Sequence, residues 1–161
     1  MLYVKAAIVG FLASLLDYIL THFSVEIGFA PYNLIPAEAF LVNLGIYLPS
    51  VAVILTLAYG PLVSMGMVKF FGRKADTPHT AGVVMGLFAV SMLVFYPLAG
   101  WGFLGQGESW KLGPRHPEYL EPGPKPILFS LVLHLVWAGV MGYLDRHWTR
   151  RKFWWPQSWR E

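Results

Sequence analysis

The sequence predicts an all-α integral membrane bundle of four transmembrane helices, and three observations predict it. Of the 161 residues, 56% are hydrophobic and only 13% charged, against roughly 25% charged in a soluble domain. Four apolar stretches reach or approach the roughly 20 residues that cross a bilayer as a helix. The basic residues are segregated between loops in the way that orients membrane helices. This composition excludes a disordered chain and an ordinary water-soluble enzyme. The absence of cysteine excludes disulfides, thiolate zinc sites, iron–sulfur clusters and thiol nucleophiles.

The expected spans are 4–23, 45–71, 81–104 and 127–146, within a single domain covering 1–161. The first has one lysine ahead of it and no convincing cleavage site, so it is expected to be retained rather than removed as a signal peptide. The second belongs to a run, 36–71, that is apolar almost throughout. As one helix it would measure about 54 Å, too long for a hydrocarbon core of about 30 Å. Pro36 suits the first turn of a helix. A short interfacial helix is therefore expected over 36–48, with a crossing from about Gly45. Pro49 and Gly60-Pro61 are the expected breaks or kinks. The third span carries Pro97 late, where neighbouring helices can satisfy a freed carbonyl.

With four spans, both termini lie on one side. That side holds Lys5, Lys69, Arg73, Lys74, Arg146, Arg150, Arg151, Lys152 and Arg160, nine of the twelve basic residues. The other side has Lys111, Arg115 and Lys125, set against Glu26, Glu38, Glu108, Glu118 and Glu121. The positive-inside rule places both termini in the cytoplasm, and a prokaryotic inner membrane is the expected location.

The external loop 105–126 contains five prolines and four glycines. It is expected to be extended with turns, and ordered, lying over the bundle or against a neighbour. The cytoplasmic tail 147–161 combines Trp148, Trp154, Trp155 and Trp159 with Arg150, Arg151 and Lys152. Tryptophan at the headgroup level with basic residues near anionic lipid makes a lipid or partner interface. It matches no nucleic-acid motif.

On the first span Gly10, Ser14, Asp17 and Thr21 fall on one face at helical spacing, a small and polar stripe suited to helix contact. Ser130, His134, Ala138, Met141 and Asp145 run down one face of the fourth. Asp17 lies roughly 9 Å and His134 roughly 10 Å from the same expected boundary. A buried Asp17–His134 pair is therefore expected. Its favoured role is a structural hydrogen bond; a proton relay or ion site is the sharper reading. Gly82-x-x-x-Gly86, and Ala138 with Gly142, are further expected packing pairs.

His134 is the one plausible intramembrane haem ligand, and His22 is staggered from Asp17 by roughly 7 Å. No cofactor is expected within this chain alone; haem or a pigment stays open only as a group shared with a partner. His79, His116 and His147 are isolated, and metal-ligand spacings are absent. No nucleophile elbow, P-loop or dinucleotide fingerprint occurs. No catalytic residues are assigned, and the balance leans against an enzyme. The expected function is a small accessory or structural subunit of a larger membrane complex, such as a respiratory or other electron-transfer assembly. Its partners would be other membrane subunits and lipid. The alternative is a small oligomeric transporter, channel or proton conductor using Asp17 and His134.

Overall fold

In hydrocarbon each backbone N–H needs a partner within its own segment, so the apolar runs fold as helices. The computed structural model describes residues 2–72 and 77–149. Its helices are α1 (Leu2–Glu26), α2 (Pro36–Asn43), α3 (Pro49–Phe71), α4 (Thr77–Val90), α5 (Tyr96–Leu98) and α6 (Lys125–Leu144). A π-helical turn, Ser91–Phe95, joins α4 to α5, and a second, Asp145–Thr149, extends α6. Four helical segments are long and apolar enough to cross a membrane: Leu2–Glu26, Pro49–Phe71, Pro78–Leu98 and Lys125–Trp148. Among the described residues the sole β contact is an isolated bridge between Tyr32 and Leu120.

Proline sets several of these boundaries. Pro36 and Pro49 sit in the first turns of α2 and α3, where a missing N–H costs nothing. Pro49 therefore starts a helix instead of kinking one, while Pro61 lies inside α3. Ahead of Pro97, Tyr96 N–H donates to the Ser91 carbonyl five residues back. This wider turn makes room for a ring that would clash in a regular α-helix.

The third crossing ends at Leu98, short of the expected 104. Gly100 and Gly102 take φ of 79° and 72°, a left-handed conformation that stops a helix and favours glycine. The connection to α6 is consequently 99–124. It holds two 3₁₀ turns, Phe103–Gly105, mostly within the expected span, and Ser109–Leu112, where the expectation was extended chain. Both fall in the proline-free part of the loop.

α1 packs against α3 and α6, and α6 packs against α4; among the described residues no substantial contact joins α3 to α4. The α1–α3 crossing is a backbone contact. A Cβ added at Gly10 would overlap the Gly60 carbonyl oxygen, and one at Gly60 would overlap Ser14 Oγ. Ala138 and Gly142 are buried on α6. Gly82 and Gly86 differ from expectation: both are exposed, and a Cβ at either would meet nothing within 4 Å. Residues on the opposite side of that helix, such as Val84, make its packed face.

Three apolar clusters hold the bundle, the smallest being Ile35, Leu41 and Ala52. Val9, Ala13, Met67, Val84, Trp137, Ala138 and Met141 form one. Tyr32, Ala39, Met92, Tyr96, Ala99, Trp101 and Leu120 form another. Lys5 Nζ donates to the Trp148 carbonyl at 3.3 Å, so α1 begins where α6 ends. At the opposite end, 27–35 and 99–124 lie together as a cap. Glu121 N–H donates to Pro31 O at 2.7 Å. Asn33 Nδ2 donates to the carbonyls of Pro114 and His116, both at 2.8 Å. Asn43 Nδ2 donates to Leu98 O at 2.9 Å and ties α2 to α5.

Candidate functional site

The polar side chains of the capped half form a row across the bundle. Asp17 and Thr21 are one turn apart on α1. Asp17 is half-buried and Thr21 buried. Tyr32, from the cap, is buried beside them. Burial holds its phenol well above the usual tyrosine range; the neighbouring Tyr96 and Asp17 push the same way, and the Thr21 hydroxyl opposes them. Tyr59 of α3 also lies in the field of Asp17, and its ring stacks on Trp137 with centroids 5.6 Å apart. On the far side, Tyr96 faces the Ser130 hydroxyl. His134 then follows one turn along α6.

The cap fixes this row. Trp101 is fully buried between Gly100 and Gly102. Its ring stacks on Tyr32 at 5.3 Å and meets Tyr96 edge-on at 5.1 Å. Its Nε1–H donates to the Glu118 carbonyl at 3.2 Å. Phe129 closes on the edge of Tyr32 at 5.6 Å.

No hydrogen bond or ion pair joins Asp17 to His134 among the described residues. His134 Nδ1 lies 2.8 Å from the Ser130 carbonyl. A carbonyl only accepts, so Nδ1 carries the proton. An acceptor on the same helix turn thus satisfies this nitrogen, and the ring rests edge-on against Phe88 at 5.4 Å. Between them, Tyr32 lies in the field of Asp17 and Tyr96, Tyr96 faces the Ser130 hydroxyl, and Ser130 contacts His134.

The other histidines are separately engaged. His22 is 3.9 Å from Glu26 and stacks on Tyr18. His79 lies against Phe71. His116 Nδ1 accepts from Glu118 N–H at 3.2 Å, and His147 Nδ1 donates to Tyr143 O at 2.8 Å. Among the described residues no three metal-ligating side chains come together. Away from the row, Ser64 Oγ and Trp137 Nε1 are buried without a hydrogen-bond partner among the described residues. Asp145 is fully buried at the end of α6. Trp148 is exposed; Arg150, Arg151, Lys152, Trp154, Trp155 and Trp159 lie outside the described residues.

Sequence reasoning missed Tyr32, Tyr59, Tyr96 and Trp101. Aromatic residues near span ends read as interfacial belts, and only the folded cap turns three of these inward. One signal was available: Trp101 between two glycines is a large side chain on a backbone free to turn it under the bundle end.

No family model matches this chain, and no curated protein or solved structure is significantly similar to it.

Proposed function

We propose that this chain is a small structural subunit of a multi-subunit membrane complex, of the kind found in electron-transfer assemblies. The observation that carries the reading is the direction of the polar row. It runs across the bundle within one half of the membrane rather than through it. Val9, Ala13, Met67, Val84, Trp137, Ala138 and Met141 form an apolar cluster in the other half. Polar groups gathered inside one half of a bundle favour a scaffold over a conduit. The basic end faces the cytoplasm by the positive-inside rule. The cap then faces the opposite aqueous phase of a prokaryotic inner membrane.

A second reading is favoured by one feature. Hydroxyl groups of Tyr32, Tyr96 and Ser130 stand between Asp17 and His134, a sequence of groups able to pass protons if a neighbour completes the path. Asp17→Asn separates the two. It keeps the volume and the hydrogen bonding and removes the charge. The subunit reading predicts normal assembly and undiminished proton flux in vesicles containing the parent complex. Normal assembly with lost flux would overturn it in favour of conduction.

A further inference from the structure

The crossing of α1 and α3 leaves a groove on the outside of the bundle. Gly10 and Gly60 meet backbone to backbone, and Ala7, one turn before Gly10, keeps the surface beside the crossing low. The groove, about 460 Å³, is lined by Tyr3, Ala7, Ile8 and Phe11 of α1 and by Pro61 and Met65 of α3. That volume falls within the roughly 300–1,000 Å³ of sites that hold small molecules. Its walls are apolar apart from the Tyr3 hydroxyl, and Tyr3, Ile8 and Phe11 are exposed.

The groove runs from the crossing toward the basic end of the bundle, where α1 starts and α3 stops. Pro61 and Met65 are one turn apart on α3, and Lys69 follows one turn later along the same stripe. Lys69 is exposed, whereas Lys5 at the same end is held by the Trp148 carbonyl. Tyr3 is seven residues from Gly10, and Lys69 is nine from Gly60. At 1.5 Å per residue Tyr3 lies roughly 10 Å and Lys69 roughly 14 Å from the crossing. An ammonium group thus follows the apolar groove in the direction of water.

We infer that the groove holds an acyl chain of an anionic phospholipid whose phosphate rests on Lys69. A phospholipid presents its apolar chain and its charge in this order along the membrane normal. Basic side chains between helices at this level are where anionic headgroups bind, and tyrosine belongs to the same layer. A partner helix would fill the apolar part and leave Lys69 in the headgroup layer, so charge complementarity selects lipid. The inference goes beyond the subunit reading and does not rest on it.

The test places the full chain in phosphatidylcholine vesicles containing a small fraction of phosphatidylglycerol with a photoreactive acyl chain. Labelled residues are mapped by mass spectrometry. Label should concentrate on Ala7, Ile8, Phe11 and Met65 over Val136 and Tyr143, which are exposed in the same half of α6. It should exceed by about fivefold that from photoreactive phosphatidylcholine, as one lysine near the headgroup implies. Lys69→Gln, at an exposed position, should leave Tm unchanged and abolish that preference. Even labelling of the groove and of Val136 and Tyr143 would mean surrounding lipid only and would overturn the inference. Equal labelling by the two lipids, or a preference that survives Lys69→Gln, would overturn it too. In native membranes a photoreactive amino acid replacing Ile8 should capture lipid; capture of a second copy or of another protein instead would also contradict it.

Discussion

The ring of Trp101 lies flat on that of Tyr32, with centroids 5.3 Å and planes 13° apart. One residue follows the third crossing and the other follows the first, so this stack joins two connections into one cap. The same Tyr32 meets the Thr21 hydroxyl and lies in the field of Asp17.

Trp101→Ala should therefore loosen the whole cap. Truncating a fully buried tryptophan costs about 3–5 kcal/mol. The expected result is a lower Tm in mild detergent, with proteolysis in 99–124 at temperatures where the wild type resists it. Trp110→Ala, at an exposed position in the same loop, should leave both unchanged.

Gly10→Ala should destabilise the bundle by about 1–3 kcal/mol or more, because the new methyl meets backbone that cannot move aside. Gly60→Ala should do the same. Gly82→Ala and Gly86→Ala enter open space and raise helix propensity, so they should be neutral or stabilising by up to about 1 kcal/mol. Thermal unfolding of the four variants side by side checks the contrast.

Ser64 presents the opposite case. Its hydroxyl is buried with no partner among the described residues, and such a group carries a desolvation cost that an apolar replacement removes. Ser64→Ala should keep or raise Tm. A loss of more than about 1 kcal/mol would show that the hydroxyl has a partner.

The Tyr32 phenol titrates well above its unfolded value of 10.0. A raised folded value means that the native state favours the proton-bearing form. The associated stability is complete below about pH 10 and declines as pH rises toward the folded value. Tm should accordingly fall at alkaline pH. In Tyr32→Phe that part of the decline should vanish. An identical alkaline profile in both proteins would contradict the burial of this phenol.

The four crossings were legible because hydropathy over about 20 residues needs no tertiary information. The start of α2 at Pro36 was legible from first-turn chemistry. The end of the third crossing was not, since Phe103 and Leu104 continue its apolar pattern and only the backbone at Gly100 and Gly102 breaks it. Gly10 and Ser14 could be read as a packing stripe, but not that Gly60 would be opposite. Gly82 and Gly86 have the same spacing and face open space; spacing alone carries no partner. Asp17 and His134 stood out because ionisable groups in hydrocarbon are rare. Their separation by Tyr32, Tyr96 and Ser130 depended on where the cap folds, which no local pattern encodes.

The central claim is that this bundle works as a subunit. The most direct test is the mass of the intact particle extracted from its own membrane with native lipid, with its components identified and its absorption spectrum recorded. The account predicts a particle far heavier than the 18.1 kDa chain, containing this chain and distinct larger membrane subunits at fixed stoichiometry. A particle made of this chain alone would contradict it.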